Sequence, residues 1–93
     1  MQPVPTLKLV SAWSPDRHLR AVIEEVLRAH IPAEDIRHLH GRVYLVYTAA
    51  EPAEIRDWLA PHLVDGERAF VVEFERWSGR NIPHRDWLLV RGH

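Results

Sequence analysis

Asp35-Ile36-Arg37-His38-Leu39-His40-Gly41-Arg42-Val43-Tyr44-Leu45-Val46-Tyr47-Thr48 is the stretch whose reading decides the fold. Ile36, His38 and His40 alternate with Arg37 and Leu39, and Gly41-Arg42 supplies a reversal into Val43 to Thr48. This predicts a hairpin. Moving outward toward the N-terminus, Leu19, Val22, Ile23, Val26 and Leu27 recur at helical spacing, with Arg20, Glu24 and Arg28 on the opposite side. This predicts a helix with one buried stripe. Ser14-Pro15-Asp16 reads as its start, a capping hydroxyl followed by a proline and an acid, and Pro32 ends it. Ahead of it, Leu7, Leu9 and Ser11 alternate with Lys8, Val10 and Ala12 in a first strand ending at Trp13. Met1 to Thr6, with Pro3 and Pro5, read as a loose arm.

Outward in the other direction, Glu51-Pro52-Ala53-Glu54 opens a second helix that carries Ile55, Trp58, Leu59 and Leu63 inward, with Pro61 tightening its last turn. Asp65-Gly66-Glu67 turns the chain into a final main strand, Arg68 to Trp77. There Phe70, Val72 and Phe74 share one face and Val71, Glu73 and Glu75 the other. Ser78 to Arg85 form a loop, and Asp86 to Arg91 read as either a short extra strand or a single helical turn. The order is strand, helix, strand, strand, helix, strand. It predicts one α+β domain of ferredoxin-like β-α-β-β-α-β type over residues 1–93, with a four-stranded antiparallel sheet, two helices on one face and residues 78–93 as a C-terminal extension. The uncovered sheet face is then wetted, covered by the tail or buried in a partner. Because both faces of Val43 to Tyr47 and of Phe70 to Phe74 are apolar or aromatic, a homodimer through the sheet or its edges is the natural expectation.

Composition narrows the chemistry. The 93 residues carry 12 Lys and Arg against 13 Asp and Glu, and 46% are hydrophobic, which suits one small globular domain with a real core. No cysteine is present, so disulfides, thiolate nucleophiles and cysteine-bound zinc are excluded. Only four glycines occur and none builds a phosphate-cradling loop. Neither a basic leader nor an apolar run of membrane length is seen, so a soluble cytoplasmic protein is expected. Eleven of the 12 basic residues are Arg, a bias that points to GC-rich coding and a bacterial source. Residues 76–93 are basic, with Arg76, Arg80, Arg85 and Arg91 against Asp86, while the body is acidic. A near-neutral total argues against strong nonspecific binding to duplex DNA.

Three groups of residues are candidates for function. Trp77, Arg80, His84, Arg85, Trp87 and Arg91 interleave aromatic rings with cations. That composition serves a protein interface or stacks bases and contacts phosphates of a single strand, and the interface reading is preferred. His38-x-His40 places two imidazoles on one strand face if strict alternation holds, the beginning of a metal site that needs a third ligand from His62, His84, His93 or an acid. Glu73 and Glu75 are paired acids that read as a solvated face or, under a closed sheet, as a site for a shared proton or cation. Ser11, Ser14 and Ser78 lack the base and orienting acid of a nucleophile and read as cap and turn residues. No cofactor is expected.

From about Gly41 onward the chain resembles small bacterial proteins labelled SinR-like, which are similar to the ferredoxin-like CRISPR-associated adaptation subunit and to VapD-type toxins. The resemblance rests on Tyr44-Leu45-Val46-Tyr47-Thr48, on Glu54-Ile55-Arg56-Asp57-Trp58-Leu59-Ala60-Pro61-His62-Leu63, on Phe70-Val71-Val72-Glu73, and on Trp77 and Trp87-Leu88. It implies a ferredoxin-like fold and a link to a defence or toxin–antitoxin system. In the nuclease-like relatives a Tyr-Asp pair ends the first strand, and that Asp from two subunits holds a divalent cation. The corresponding stretch here is Val10-Ser11-Ala12-Trp13, with no carboxylate before Asp16. Without that acid the oxygen ligands for Mg²⁺ and its activated water are lost. The expectation is a non-catalytic dimeric interaction module. The alternatives are a metal-dependent nuclease with a relocated site at His38, His40 or Glu73 to Glu75, and single-strand binding through the basic C-terminal segment.

Overall fold

The computed structural model describes residues 3–92. Met1, Gln2 and His93 lie outside the described residues, so the arm is seen only from Pro3, and His93 as a metal ligand falls beyond view. In chain order the elements are β1 (Thr6–Trp13), α1 (Arg20–His30), β2 (Ile36–His40), β3 (Val43–Thr48), α2 (Pro52–Leu59), β4 (Arg68–Phe74) and α3 (Arg85–Gly92). Single 3-10 turns lie at Ala33–Asp35 and Ala60–His62, the latter where Pro61 was expected to tighten the chain. The four strands form one sheet in the order β2-β3-β1-β4, every neighbouring pair antiparallel. The chain is thus a small α+β domain, and none of its described helices is long and apolar enough to cross a membrane.

Alternation along β1 divides the sheet into two faces. Val10 and Ala12 point to the face covered by α1 and α2, where they meet Leu19, Ile23, Val26, Leu27, Tyr44, Val46, Ile55 and Leu59 in the main core. His30 and Trp58 stack in parallel at 4.1 Å, joining the ends of α1 and α2. Fully burying one such aliphatic side chain contributes roughly 1.5–3 kcal/mol, so the α1 stripe read from spacing is a main source of stability.

Two starts differ in how well local signals placed them. α2 begins where expected: Pro52 sits in its first turn, and the Glu51 backbone N–H donates to the Glu54 carboxylate at 3.0 Å. α1 begins at Arg20, not at Ser14-Pro15. The Ser14 hydroxyl does accept from the backbone N–H groups of Asp16 and Arg17, at 3.2 and 3.3 Å, but it closes a bend and not a helix. Arg17 donates twice to Glu67, at 2.7 Å each, and once to the His62 carbonyl at 2.8 Å. These bonds hold the bend against the 62–67 segment and delay the helix by a turn.

The opposite face departs most from expectation. Residues 85–92 are neither an extra strand nor a single turn but an eight-residue helix, α3, lying on the sheet face that α1 and α2 leave open. Trp87 and Leu88 bury against Leu7 and Leu45, with Leu9, Leu39, Tyr47, Phe74, Trp77 and Ile82 around them. Of the three fates open to the uncovered face, cover by the chain's own tail accounts for this part. The physical reason lies in the assembled sheet: Leu7 and Leu9 of β1 and Leu45 of β3, which lies opposite Leu9, share this face, and the apolar side chains of α3 remove them from water.

Candidate functional site

The six aromatic and cationic residues of the C-terminal segment do not form one free surface. Trp87 is only 8% exposed. Its indole N–H donates to the Glu34 carbonyl at 2.8 Å, and the guanidinium groups of Arg91 and Arg37 lie 4.9 and 5.6 Å from its ring centroid. Arg91 also pairs with Asp35 at 3.2 Å. The His84 ring shares a hydrogen bond with the His38 carbonyl at 2.9 Å. Trp77 is half-buried in the same cluster. These residues dock α3 onto β2 and its preceding turn, while Arg80 and Arg85 are exposed and make no ion pair or hydrogen bond among the described residues.

The histidine pair is separated by a bulge. His38 lies opposite Tyr44 and His40 opposite Val43, with a register shift between them. Tyr44 and Val43 are neighbours on β3 and point to opposite faces, so the two imidazoles do as well. The extra residue, Leu39, goes to the α3 face and packs there. The His38 ring is already hydrogen-bonded to the Gly41 carbonyl at 2.7 Å. Among the described residues no group of three or more His, Asp or Glu side chains is gathered as a metal would need.

Glu73 has a structural partner that the alternation on β1 alone did not disclose. Lys8 points to the helix-covered face and is fully buried. Its ammonium donates to the Thr6 hydroxyl at 2.6 Å and the Thr48 carbonyl at 2.8 Å, and lies 3.6 Å from the Glu73 carboxylate. A buried charge must be paired and hydrogen-bonded, and the Thr6 hydroxyl completes the set by donating to Glu73 at 2.9 Å. Glu75 is exposed. Tyr44 is equally well satisfied: burial pushes its hydroxyl above the usual range, and it donates to Glu24 at 3.2 Å. Glu67 is pulled down to about 2, chiefly by the Arg17 hydrogen bond and next by the Val64 backbone N–H.

An exposed apolar surface lies beside α3, and its Phe70 and Val72 belong to the stretch whose apolar faces raised the expectation of a partner. Trp13 is 44% exposed, Phe70 64% and Val72 37%. The register explains their adjacency. Ser11 lies opposite both Val43 and Phe70, Leu9 opposite both Leu45 and Val72, and Trp13 opposite Arg68, whose guanidinium sits 5.7 Å from the indole centroid. α3 covers the rows nearer Leu7 and stops, so the rows nearer Trp13 stay open. The patch runs to β4, an edge strand of seven residues that has no neighbour on its outer side among the described residues. The other edge, β2, is interrupted by its bulge, and Arg37 there donates to the Ala33 and Ile36 carbonyls. Bulges and cations are the usual protection of an edge. β4 has no bulge, and its middle, Ala69-Phe70-Val71-Val72, has no charge.

Comparison of the chain with protein-family models, with curated proteins and with solved structures finds no match in any of the three.

Proposed function

We propose that this domain is a ferredoxin-like interaction module that pairs with a second copy of itself along β4. The observation that carries the reading is the unprotected apolar edge: a strand whose outer N–H and C=O groups are unpaired seeks another strand, and here apolar side chains flank it on both faces. A second copy suits the edge because the strand is complementary to itself. Antiparallel pairing about a dyad at Val71 sets Phe70 beside Val72 of the second copy on one face and Glu73 beside Ala69 of the second copy on the other. Ala69 and Arg56 line the same shallow groove along β4, so Glu73 of the second copy arrives next to Arg56. Among the described residues Arg56 pairs only with its exposed neighbour Asp57. The ferredoxin-like assignment is supported by the chain order of strands and helices and by the central placement of β1 and β3. The resemblance of Gly41 onward to SinR-like proteins is the reason to look for this pairing in a defence or toxin–antitoxin setting.

Sedimentation equilibrium of the whole chain tests the proposal. A single edge contact falls in the small interface class, below roughly 1,200 Å², so a reversible dimer with a micromolar constant is expected. Phe70→Glu is expected to remain folded by circular dichroism yet sediment as a monomer, and Arg56→Glu to weaken the dimer by placing two acids together. A wild-type chain that stays monomeric up to about 1 mM, where binding is worth only ~4 kcal/mol, refutes it.

A further inference from the structure

Between the open rows and α3 the sheet is not flat. A cleft of about 300 Å³ crosses it, floored by Leu45, Leu9 and Val72 from three adjacent strands and roofed by Trp77, Ile82 and Leu88. Its lining is apolar except for Arg76 and Ser78. Arg76 is exposed and makes no ion pair or hydrogen bond among the described residues, and no acid lines the cleft. The volume is at the lower bound of small-molecule sites, roughly 300–1,000 Å³, which share this pattern of apolar walls with few polar groups.

The roof is held in costly geometry. Asn81 and His84 both have positive φ, 56° and 64°, although neither is glycine. Residues in that region cost of order 1–3 kcal/mol each and persist where surrounding contacts impose them, most often at functional sites. His84 is held by its bond to the His38 carbonyl. Ile82 folds back onto Gly79 so closely that a Cβ there would lie 2.8 Å from the Ile82 Cδ1 atom. The loop is therefore shaped to set Ile82 and Trp77 over the sheet and leave a space below them.

We propose that this cleft binds a small amphipathic carboxylic acid, its apolar body between Leu9, Val72 and Ile82 and its carboxylate at Arg76. The class follows from the lining: an apolar body is what the walls exclude from water, and the lone cation selects an anionic head. At ~30 Å³ per water-sized group, the space takes on the order of ten heavy atoms, a medium-chain acid or a substituted aromatic acid. The site does not depend on the β4 pairing proposed above.

Decanoate and decanol, each below its aggregation limit, are the probes, followed by amide chemical shifts of the whole chain. Decanoate is expected to bind saturably below 1 mM with shifts centred on residues 9, 45, 72, 77 and 82. It is expected to bind roughly twofold to fivefold more tightly than decanol, the upper part of the range for a solvent-facing charge contact. Arg76→Gln should abolish that preference while leaving the fold intact, and Leu9→Phe should fill the cleft and weaken both probes. Absence of saturable shifts, shifts centred elsewhere, or equal affinity for acid and alcohol overturns the proposal. Repeating the titration on Phe70→Glu scores ligand binding separately from self-association.

Discussion

Trp87→Ala tests whether α3 is an integral layer of the domain or an appendage. The indole is almost wholly buried against Leu7 and Leu45, bonded to the Glu34 carbonyl, and flanked by two guanidinium groups. Removing a buried aromatic costs about 3–5 kcal/mol, a value that includes the cavity left behind. The lost hydrogen bond contributes about 1 kcal/mol, and each partly solvated cation contact about 0.5 kcal/mol or more. The truncation range already contains these polar losses, so its middle, about 4 kcal/mol, is the expected total, a large share of the roughly 5–15 kcal/mol that stabilises a domain. In urea, with a slope of about 2 kcal/mol per molar, the midpoint should fall by ~2 M. Trp87→Phe keeps most of the apolar contact and loses the N–H, so a drop of roughly 1–2 kcal/mol is expected. If Trp87→Ala lowers stability by less than about 1 kcal/mol, within the range of ordinary surface changes, the α3 layer is not part of the cooperative unit and the reasoning fails.

Two further outcomes follow from the polar groups that the fold encloses. Lys8→Met is expected to change stability by less than about 1 kcal/mol, because methionine keeps the buried stem without a charge to pair and the half-exposed Glu73 can turn to water, whereas Glu73→Leu takes the carboxylate from a buried ammonium and should cost about 1–2 kcal/mol; equal losses in chemical denaturation would contradict this. Glu67, held near 2 against an ordinary value of 4.5, binds its proton less readily folded than unfolded. Its contribution is therefore complete above about pH 4.5 and is lost as pH falls toward 2. Arg17→Ala should flatten the acid limb of the stability–pH curve in that window, and an unchanged limb would remove Arg17 as the cause.

Local signals were legible wherever a pattern depends on neighbours in sequence. The α1 stripe, the Glu51-Pro52 helix start and the reversals at Gly41 and Gly66 all lie where spacing put them. Both glycines adopt positive φ, 49° and 88°, which only glycine takes freely. The sites were less legible. His38 and His40 look alike under strict alternation, and only the pairing with β3 shows that Leu39 is the extra residue. Lys8 reads as one polar position in a strand, yet the carbonyl and carboxylate that make its burial tolerable come from β3 and β4.

Periodicity, prolines, glycines and capping side chains act within one or two turns of chain, so the amino-acid order alone determined the succession β-α-β-β-α-β and the stripe that α1 buries. What covers the far side of the sheet was decided elsewhere, by contacts such as Trp87 with Glu34, 53 positions apart. No local rule can choose between the tail and a partner as the cover for Leu7 and Leu45, because either one removes the same apolar surface from water. Only the assembled layers set how far α3 reaches, and therefore which rows it leaves open beside Phe70 and Trp13.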